Sequence, residues 1–258
     1  MATSNHHGDF CWVELMTGQL DQSLAYYSSV FGWDPKAHPM GDGQDYMMLN
    51  VQDDAIAGAF ALSTDYLPGA QACWSAYVLV DNVDELVKQV ADLGGQVLRE
   101  PFDVMGMGRM AVIQDPTGAT LSVWQTHGDA GPKTIKQQHG YVGWVELATT
   151  DTDLARPFYE KLFGWLANTQ VMPGGKEYTT FMNGEEAAAG MYQHDEEMAI
   201  DTSYWTIYFT VDSFEAAFAK ATQLGGTAVY EPKQVPGVGE FAMLKDPEGV
   251  AFSMIQFE

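Results

Sequence analysis

The apolar residues of this chain fall into short runs that are separated by turn residues, which is the pattern of β-strands. Four other segments place apolar residues at helical spacing, and each follows a strand. We expect Asp21 to cap the first helix and Gly32 to end it. The predicted helices end at Phe31 and Ala91 in one half of the chain and cover about 153–163 and 213–223 in the other. The predicted strands are 11–16, 45–51, 55–62, 74–80, 96–104, 109–114, 120–125, 143–148, 177–182, 187–192, 204–211, 227–231, 240–244 and 250–256.

Two of the predicted helices carry conflicting signals at their starts. Either Asn82 or Asp84 could open the second helix, because both residue types cap helices. The third helix contains Pro157, which is disfavoured deep inside a helix. We therefore expect that helix to begin near Asp153, with the proline in its first turn.

The order of strands and helices in the first half of the chain returns in the second half. Residues 11–33 read CWVELMTGQLDQSLAYYSSVFGW, and residues 143–165 read GWVELATTDTDLARPFYEKLFGW. The sequence DPTG at 115–118 likewise returns as DPEG at 246–249. The offset is 132 at the first pair (143 − 11) and 131 at the second (246 − 115), so the chain contains two copies of one unit.

Each copy divides again into two modules of the order β-α-β-β-β, which makes four modules in all. Residues 128–140 (GDAGPKTIKQQHG) are polar and contain Gly and Pro without a periodic pattern. The sequence therefore predicts a first domain over 9–127, a linker over 128–140 and a second domain over 141–258.

Composition narrows the classes of partner. With 12 Lys and Arg against 35 Asp and Glu, the net charge is −23, which argues against nucleic acid and against anionic membrane surfaces. No apolar run approaches the ~20 residues that span a bilayer, and residues 1–10 do not resemble a signal peptide. Cys11 and Cys73 are expected to be free thiols in a reducing cytoplasm, although a disulfide is possible.

The paired β-α-β-β-β modules, the FY…FGW helix end and the D-P-x-G turn before a final strand resemble the vicinal oxygen chelate superfamily. That group includes glyoxalases, extradiol dioxygenases, and fosfomycin and bleomycin resistance proteins. Over residues 9–258 the chain is most similar to two-domain glyoxalase-like proteins that are often described as hydroxylases. The resemblance implies an α+β fold of two tandem glyoxalase-like domains, in which paired modules roll mixed sheets into a cup.

The resemblance also implies where a metal would bind. Metal-dependent members of the superfamily place ligands on the first strand of a module, on the matching strand of the next module and on the last strand. In this chain those positions hold Trp12 and Trp144, Ser75 and Thr206, and Ser122 and Ser253. None of these is a usual metal ligand, and the six histidines have neither repeat partners nor the spacing of a site. We therefore expect no metal and no other cofactor.

Glu14 and Glu146 are the polar residues that strand alternation places on the inward face beside the two tryptophans. One interpretation makes them acid/base or substrate-anchoring groups, whose pKa an apolar cup would raise. The other interpretation is structural, with each carboxylate accepting hydrogen bonds from a tyrosine or a backbone N–H. Their repetition in both halves favours a structural role, because two copies of a unit rarely keep the same catalysis.

The rest of that face is rich in aromatic residues and poor in charge. It could form a stacking pocket for a flat or apolar ligand, or it could simply fill the core. Arg109 has Glu240 as its equivalent, and it could anchor an anionic group or pair with a surface acid. The candidate ligand-binding residues are Trp12, Tyr46, Tyr77, Arg109, Ser122, Trp124, Trp144, Tyr178, Tyr208 and Ser253.

Three functions fit these features. The first is a protein that binds a small aromatic or apolar molecule without metal. The second is an enzyme, either a glyoxalase-like lyase or isomerase or a hydroxylase or dioxygenase, with Glu14 or Glu146 as the base and Tyr77 or Tyr208 orienting the substrate. The third is a structural or signalling protein with a vestigial cup. A monomer is sufficient because the repeats can form an internal pseudo-dimer, and a homodimer is possible.

Overall fold

The computed structural model describes residues 4–40, 45–62, 69, 71–131, 133, 135–172, 174–194 and 202–258. Over these residues the chain forms two mixed sheets, of eight and nine strands, and four helices. This confirms the α+β fold class. None of the described helices is long and apolar enough to cross a membrane.

The elements follow the predicted order in both halves. The first half contains β1 (Phe10–Thr17), α1 (Leu20–Phe31), β2 (Asp34–Pro39), β3 (Asp45–Val51), β4 (Asp54–Ala61), β5 (Cys73–Leu79), α2 (Val83–Val90), β6 (Gln96–Val104), β7 (Gly108–Gln114) and β8 (Thr120–Thr126). The second half contains β9 (Val142–Thr149), α3 (Thr152–Phe163), β10 (Leu166–Val171), β11 (Glu177–Asn183), β12 (Glu186–Gln193), β13 (Tyr204–Thr210), α4 (Phe214–Gln223), β14 (Thr227–Ala228), β15 (Lys233–Val235), β16 (Gly239–Lys245) and β17 (Ala251–Phe257).

Two predictions about helix starts are wrong. Asp21 does not cap α1: the helix begins after Gln19, whose side chain makes no capping bond, and Asp21 lies in the first turn near the positive end of the helix dipole. Pro157 lies in the second turn of α3, because Asp151 caps the helix by accepting the backbone N–H groups of residues 153 and 154. The proline therefore costs one helical hydrogen bond close to the helix start.

The other helix boundaries agree with the sequence. Asn82 is the residue that caps α2, and its side chain accepts the backbone N–H of Glu85 at 3.0 Å. Ser213 caps α4. Gly32 ends α1 in the left-handed conformation, with φ of 73°.

Three strands were missed: β2 and β10, which each follow a helix, and the three-residue β15, which pairs with β16. β2 and β10 are mostly exposed to solvent, and each lies at the end of its strand order. Their sequences, DPKAHP and LANTQV, lack the alternation of apolar and polar residues that burial of one face produces. The predicted strand 227–231 is also shorter than expected, since β14 ends at Ala228.

By its internal contacts the chain forms two compact units. The first compact unit comprises Met1–Cys11, Ala76–Lys133 and Val145–Trp205, and the second comprises Trp12–Ser75, Thr134–Trp144 and Thr206–Glu258. Each unit therefore combines residues from both repeats. The predicted domains 9–127 and 141–258 are a different division of the chain, and their boundaries stay a prediction.

Within the second compact unit, the strands run in the order β2-β3-β4-β1, and β16 and β17 pair beside β13. Its core is an aromatic cluster in which the ring centroids of neighbouring residues lie 4.9–6.3 Å apart. The members of this cluster are Tyr27, Phe31, Trp33, Trp74, Phe209 and Phe252.

The first compact unit is built in the same way. Its strands run in the orders β10-β11-β12-β9 and β5-β8-β7-β6. Its aromatic cluster contains Phe10, Tyr159, Phe163, Trp165, Phe181 and Trp205. The aromatic residues at the ends of α1 and α3 thus supply buried apolar area to the cores of the second and the first compact unit, respectively.

Candidate functional site

In the second compact unit, Glu14 ends a chain of side-chain hydrogen bonds. The indole Nε1 of Trp12 donates to the hydroxyl oxygen of Tyr46 at 2.9 Å. That hydroxyl donates to Oε1 of Glu14 at 2.6 Å. Glu14 is buried, with 8% of its surface exposed, whereas the tryptophan and the tyrosine are partly exposed. A buried carboxylate is thus held by a phenol whose own oxygen is held by an indole.

Strand register explains why these side chains meet. Alternation along β1 puts Trp12 and Glu14 on the face opposite Val13, which is 3% exposed. Glu14 is the parallel partner of Gly58 on β4. A Cβ atom on that glycine would lie 1.8 Å from the hydroxyl oxygen of Tyr46. The tyrosine reaches the carboxylate only because residue 58 has no side chain.

Gly58→Ala is expected to push Tyr46 away from Glu14. Overpacking and the loss of a donor to a buried carboxylate should together lower the free energy of unfolding by about 2 kcal/mol. Urea denaturation measures this change. Gly128→Ala is the matched control, because a Cβ there meets nothing within 4 Å, and its effect should stay within about 0.5 kcal/mol. Equal stability of the two variants would contradict the steric argument.

The second repeat forms the same pair in the first compact unit. The hydroxyl of Tyr178 donates to Oε1 of Glu146 at 2.7 Å, and the two residues are 32 positions apart, as in the first repeat. Glu146 is 7% exposed and is the parallel partner of Gly190 on β12. The tyrosine partner that the structural interpretation expected is therefore present in both copies. The catalytic role of the two glutamates stays a prediction.

The residues around the two carboxylates differ. Burial, followed by the negative charge of Glu14, raises the pKa of the Cys73 thiol to about 11. The residue equivalent to Cys73 in the second repeat is Tyr204. Burial and the negative charge of Glu146 raise the pKa of Tyr204, and a hydrogen bond from Tyr192 offsets part of that rise. The Cys73 thiol is therefore protonated at neutral pH and is a poor nucleophile.

Both cysteines are free, as predicted. The Sγ of Cys11 donates to the backbone carbonyl of Tyr77 at 3.6 Å. Burial raises the pKa of Cys11 to about 12. Neither thiol has the lowered pKa that marks a reactive cysteine.

Tyr77, Ser122 and Trp124 share one face of neighbouring strands in the first compact unit. Tyr77 on β5 is the parallel partner of Ser122 on β8, and Leu79 is the partner of Trp124. Because Ser122 and Trp124 are two residues apart, their side chains point the same way. Tyr77 is 5% exposed and Ser122 is 2% exposed, so only the tryptophan of these three is accessible in part.

Tyr208 and Ser253 form the equivalent pair in the second compact unit. The ring of Tyr208 contacts that of Phe241 edge to face, with centroids 5.9 Å apart. The hydroxyls of Thr206 and Ser253 are hydrogen-bonded to each other at 3.1 Å, and both residues are buried. Trp144 also belongs to this unit and is partly exposed.

The residues at the metal-ligand positions of the superfamily that this chain resembles do not fit a metal ion. The three positions on β9, β13 and β17 hold Trp144, Thr206 and Ser253. An indole N–H has no lone pair for a metal, and the two hydroxyls are already bonded to each other. The described part of the chain also contains no group of three or more His, Cys, Asp or Glu that could hold a metal ion.

Arg109 pairs with acidic residues, which is the second of the two roles that the sequence left open. Its Nε and Nη2 donate to the carboxylate of Asp84 at 2.7 and 2.9 Å, and its Nη1 donates to Asp103 at 3.0 Å. These hydrogen bonds lower the pKa of Asp84 and raise that of the guanidinium. With three of its donors engaged at the surface, Arg109 is left out of the binding face that we propose below.

The prediction that no histidine has a repeat partner is wrong. His7 and His139 lie 132 residues apart, and the Nδ1 of each accepts a backbone N–H at 3.2 Å, from Asp81 and Asp212 respectively. The repeat therefore extends upstream of residue 11, where the dipeptide His-Gly at 7–8 returns at 139–140. Both histidines tie loops together and neither joins a cluster of metal ligands among the described residues.

Sequence reasoning missed a buried hydrogen-bond network that occurs twice. In the second compact unit, Nε1 of Trp74 donates to the hydroxyl of Tyr27 at 3.0 Å, and that hydroxyl donates to Oδ2 of Asp246 at 3.0 Å. In the first compact unit Trp205, Tyr159 and Asp115 make the same bonds, each at 2.9 Å. The aspartates are those of the D-P-x-G turns. Their role is to anchor each turn to a helix of the other repeat.

Comparisons with known proteins agree with this architecture. A family model described as "Glyoxalase/Bleomycin resistance protein/Dioxygenase superfamily" matches residues 10–123 and 141–254. "Putative glyoxylase CFP32" of Mycobacterium tuberculosis (strain CDC 1551 / Oshkosh) is 35% identical over 246 residues, which cover 95% of this chain and 93% of that protein. "Anthracycline biosynthesis protein DnrV" of Streptomyces peucetius is 31% identical over 256 residues, covering 95% and 92%.

Among solved structures, the chain is similar to the Mn(II)-bound glyoxalase from Novosphingobium aromaticivorans, with a TM-score of 0.64 and 13% identity over 97% of this chain and 82% of that one. It is also similar to the 2,3-dioxygenase LapB from Pseudomonas sp. KL28, with a TM-score of 0.63 and 13% identity over 99% and 93%. At this identity the similarity shows the fold alone.

Proposed function

The chain belongs to the Glyoxalase/Bleomycin resistance protein/Dioxygenase superfamily, and on that premise we propose that it binds a small aromatic or apolar molecule without the metal triad of the family. Each compact unit would have its own binding face, made of the partly exposed aromatic side chains beside its buried glutamate. The candidates are Trp12 and Tyr46 in the second compact unit and Tyr178 in the first.

One observation carries this proposal. In the second repeat the positions where metal-dependent relatives hold a metal contain an indole and two hydroxyls that are hydrogen-bonded to each other. In the first repeat the matching positions hold Trp12, Ser75 and Ser122, and the tyrosines beside the two glutamates occur in both repeats. A face of aromatic rings with a few placed polar groups is typical of sites for small molecules. The name of the Streptomyces relative, which concerns the biosynthesis of an aromatic class of compound, favours an aromatic ligand.

A second candidate function is catalysis, and the name of the mycobacterial relative favours it. The chain would then be a glyoxalase-like lyase or isomerase, or a hydroxylase or dioxygenase, acting on a small carbonyl or aromatic substrate. Glu14 or Glu146 would serve as the general base, since each is buried and hydrogen-bonded to a tyrosine. Tyr77 or Tyr208 would orient the substrate.

The proposal predicts stabilisation by aromatic ligands that does not depend on metal. A naphthalene derivative at about 100 times its Kd should raise the Tm by about 5–10 °C, because binding to the folded state alone adds about 2.7 kcal/mol of stability. Thermal unfolding with and without EDTA measures this, using the full chain without a His tag. Zn²⁺, Ni²⁺, Mn²⁺ and Fe²⁺ are titrated in parallel, and elemental analysis gives the metal content.

The two functions predict different outcomes for these measurements. Stoichiometric metal, or stabilisation by one of the four cations alone, would contradict a metal-free binding site and favour the enzyme. If neither the aromatic probes nor the metals change the Tm, the site does not bind molecules of this class, and a structural protein with a vestigial cup becomes the better explanation.

A further inference from the structure

The surroundings of the two buried glutamates differ at two equivalent positions. The first repeat has Phe60 and Cys73, and the second has Tyr192 and Tyr204. The offsets are 132 (192 − 60) and 131 (204 − 73), which are the offsets of the repeat itself. The second repeat therefore has two phenol groups where the first has a hydrocarbon ring and a thiol.

In the second repeat these phenols lie on the same side of the sheet as Glu146 or next to a residue that does. Tyr178 donates to it at 2.7 Å. Tyr192 follows the strand partner of that glutamate by two residues, on the same face of β12. Tyr204 is hydrogen-bonded to Tyr192 and lies within the electrostatic reach of Glu146. All three tyrosines are partly exposed, so each can be contacted from the solvent.

The first repeat offers much less polarity at the matching place. Tyr46 is the one phenol among its three equivalent positions, and its hydroxyl both accepts from Trp12 and donates to Glu14. The ring of Phe60 is stacked beside that of Tyr46, with centroids 6.3 Å apart. This face can contact an apolar ring but has fewer groups that can recognise a polar substituent.

The side chains near Glu146 indicate which class of ligand would bind there. Phenol rings stack on flat aromatic molecules, their hydroxyls both donate and accept, and a carboxylate accepts hydrogen bonds from a donor on the ligand. The net charge of −23 disfavours anions. We propose that the tyrosine-lined site around Glu146 selects the ligand, and that this ligand is a neutral planar aromatic molecule that carries a hydroxyl group. The inference rests on the proposed binding function and names its site and its ligand class.

Two probes that differ in one hydrogen-bond donor test the ligand class. 2-Naphthol has a hydroxyl, and 2-methoxynaphthalene has the same rings with that donor blocked. Isothermal titration of the full chain should show one site at which 2-naphthol binds about tenfold tighter or more, because the blocked analogue loses a hydrogen bond to a charged network.

The repeat supplies matched variants for the site. Y192F/Y204C gives the second site the composition of the first, and it should weaken 2-naphthol binding about tenfold while changing the Kd of 2-methoxynaphthalene less than about twofold. The reciprocal variant F60Y/C73Y should add a second 2-naphthol site, which the stoichiometry reports. Thermal unfolding checks that each variant is folded, and Y192F alone replaces the double variant if that protein does not fold.

The outcomes separate this inference from the proposed function. If neither naphthalene binds the wild-type chain, the proposed function fails and the inference fails with it. If both probes bind with equal Kd, or if the preference for 2-naphthol survives both Y192F/Y204C and Y192F, the inference is overturned while binding of aromatic molecules stands.

Discussion

Asp246→Ala is expected to lower the free energy of unfolding by about 3 kcal/mol or more, because it leaves three donors, two of them buried, without their acceptor. Oδ2 of Asp246 accepts the hydroxyl of Tyr27 at 3.0 Å. Its Oδ1 accepts the backbone N–H groups of Glu248 and Val250, each at 2.9 Å. The aspartate is 3% exposed, so water cannot replace these bonds without opening the structure.

Burial destabilises the charged carboxylate of Asp246 in the native protein, and this limits how much stability its removal can cost. Burial raises the pKa of Asp246 above its usual value, and hydrogen bonds from Val250, Tyr27 and Glu248 offset part of that rise. The charge is thus stabilised by the same donors that its removal would orphan. Asp246→Asn should lower the free energy of unfolding less than the alanine variant does, because the amide oxygen can still accept the backbone N–H groups of the turn. Some loss remains, because the NH₂ group cannot accept the hydroxyl of Tyr27.

Urea denaturation of matched variants tests the argument. Asp115→Ala removes the equivalent acceptor of Tyr159 in the first compact unit and should cost a similar amount. Asp92→Ala is the control, because that aspartate is exposed, and its effect should stay within about 0.5 kcal/mol. Alanine variants of Asp246 and Asp115 that are as stable as the Asp92 variant would show that the two networks are not structural anchors.

The repeat made most of the fold predictable, because burial leaves its periodicity in the sequence. β3 and β6 have the bounds that alternation predicted, Asp45–Val51 and Gln96–Val104. β2 and β10 were missed because almost every residue in them is exposed, so no buried face constrains their sequences. Edge strands are held by backbone hydrogen bonds, which most residue types can make, and an edge also tolerates proline, as at Pro35 and Pro39 of β2.

For the candidate site, the sequence predicted the kind of contact but could not identify the partners. Alternation placed Glu14 on the inward face, and the structural interpretation expected a tyrosine donor. That the donor is Tyr46 depends on the register of β3, β4 and β1, in which Gly58 stands opposite Glu14. Register depends on pairing between strands, and one sequence does not contain that pairing.

The tryptophan, tyrosine and aspartate network shows a different limit. All three of its positions occur in both repeats, so their repetition was visible. The sequence could not show that Tyr27 bonds to the aspartate of the other repeat, 219 residues away, rather than to its own. An internal repeat identifies which positions the fold uses, but it leaves open how the copies exchange contacts.

Above about pH 10 the protein is expected to lose stability steeply, because the same network holds two tyrosines in the neutral form. Tyr27 and Tyr159 are almost completely buried. Burial raises the pKa of each well above its usual value of 10.0, and the charges of Asp246 and Asp115 raise them further. Hydrogen bonds from Trp74 and Trp205 lower the two pKa values only in part.

The direction of the pH dependence follows from which state binds more protons. In the unfolded chain both tyrosines titrate near pH 10, whereas in the folded chain they stay protonated well above it. Their contribution to stability is fully present below about pH 10 and is lost as the pH rises toward the folded pKa values. These two protons, retained only by the folded state, contribute a fall in the free energy of unfolding of about 2.7 kcal/mol per pH unit in that range. The raised pKa values of Cys11, Cys73 and Tyr26 add to that fall.

Urea denaturation at a series of pH values between about 8 and 12 measures this slope, and the absorbance of tyrosinate reports when the phenols ionise. Tyr27→Phe removes one of the two protons, so it should reduce the slope by about 1.4 kcal/mol per pH unit, although the variant starts from a lower stability. Tyr159→Phe should do the same in the first compact unit. If all 12 tyrosines instead ionise near pH 10 while the chain stays folded, the two phenols are accessible to solvent and the anchoring role of the network is wrong.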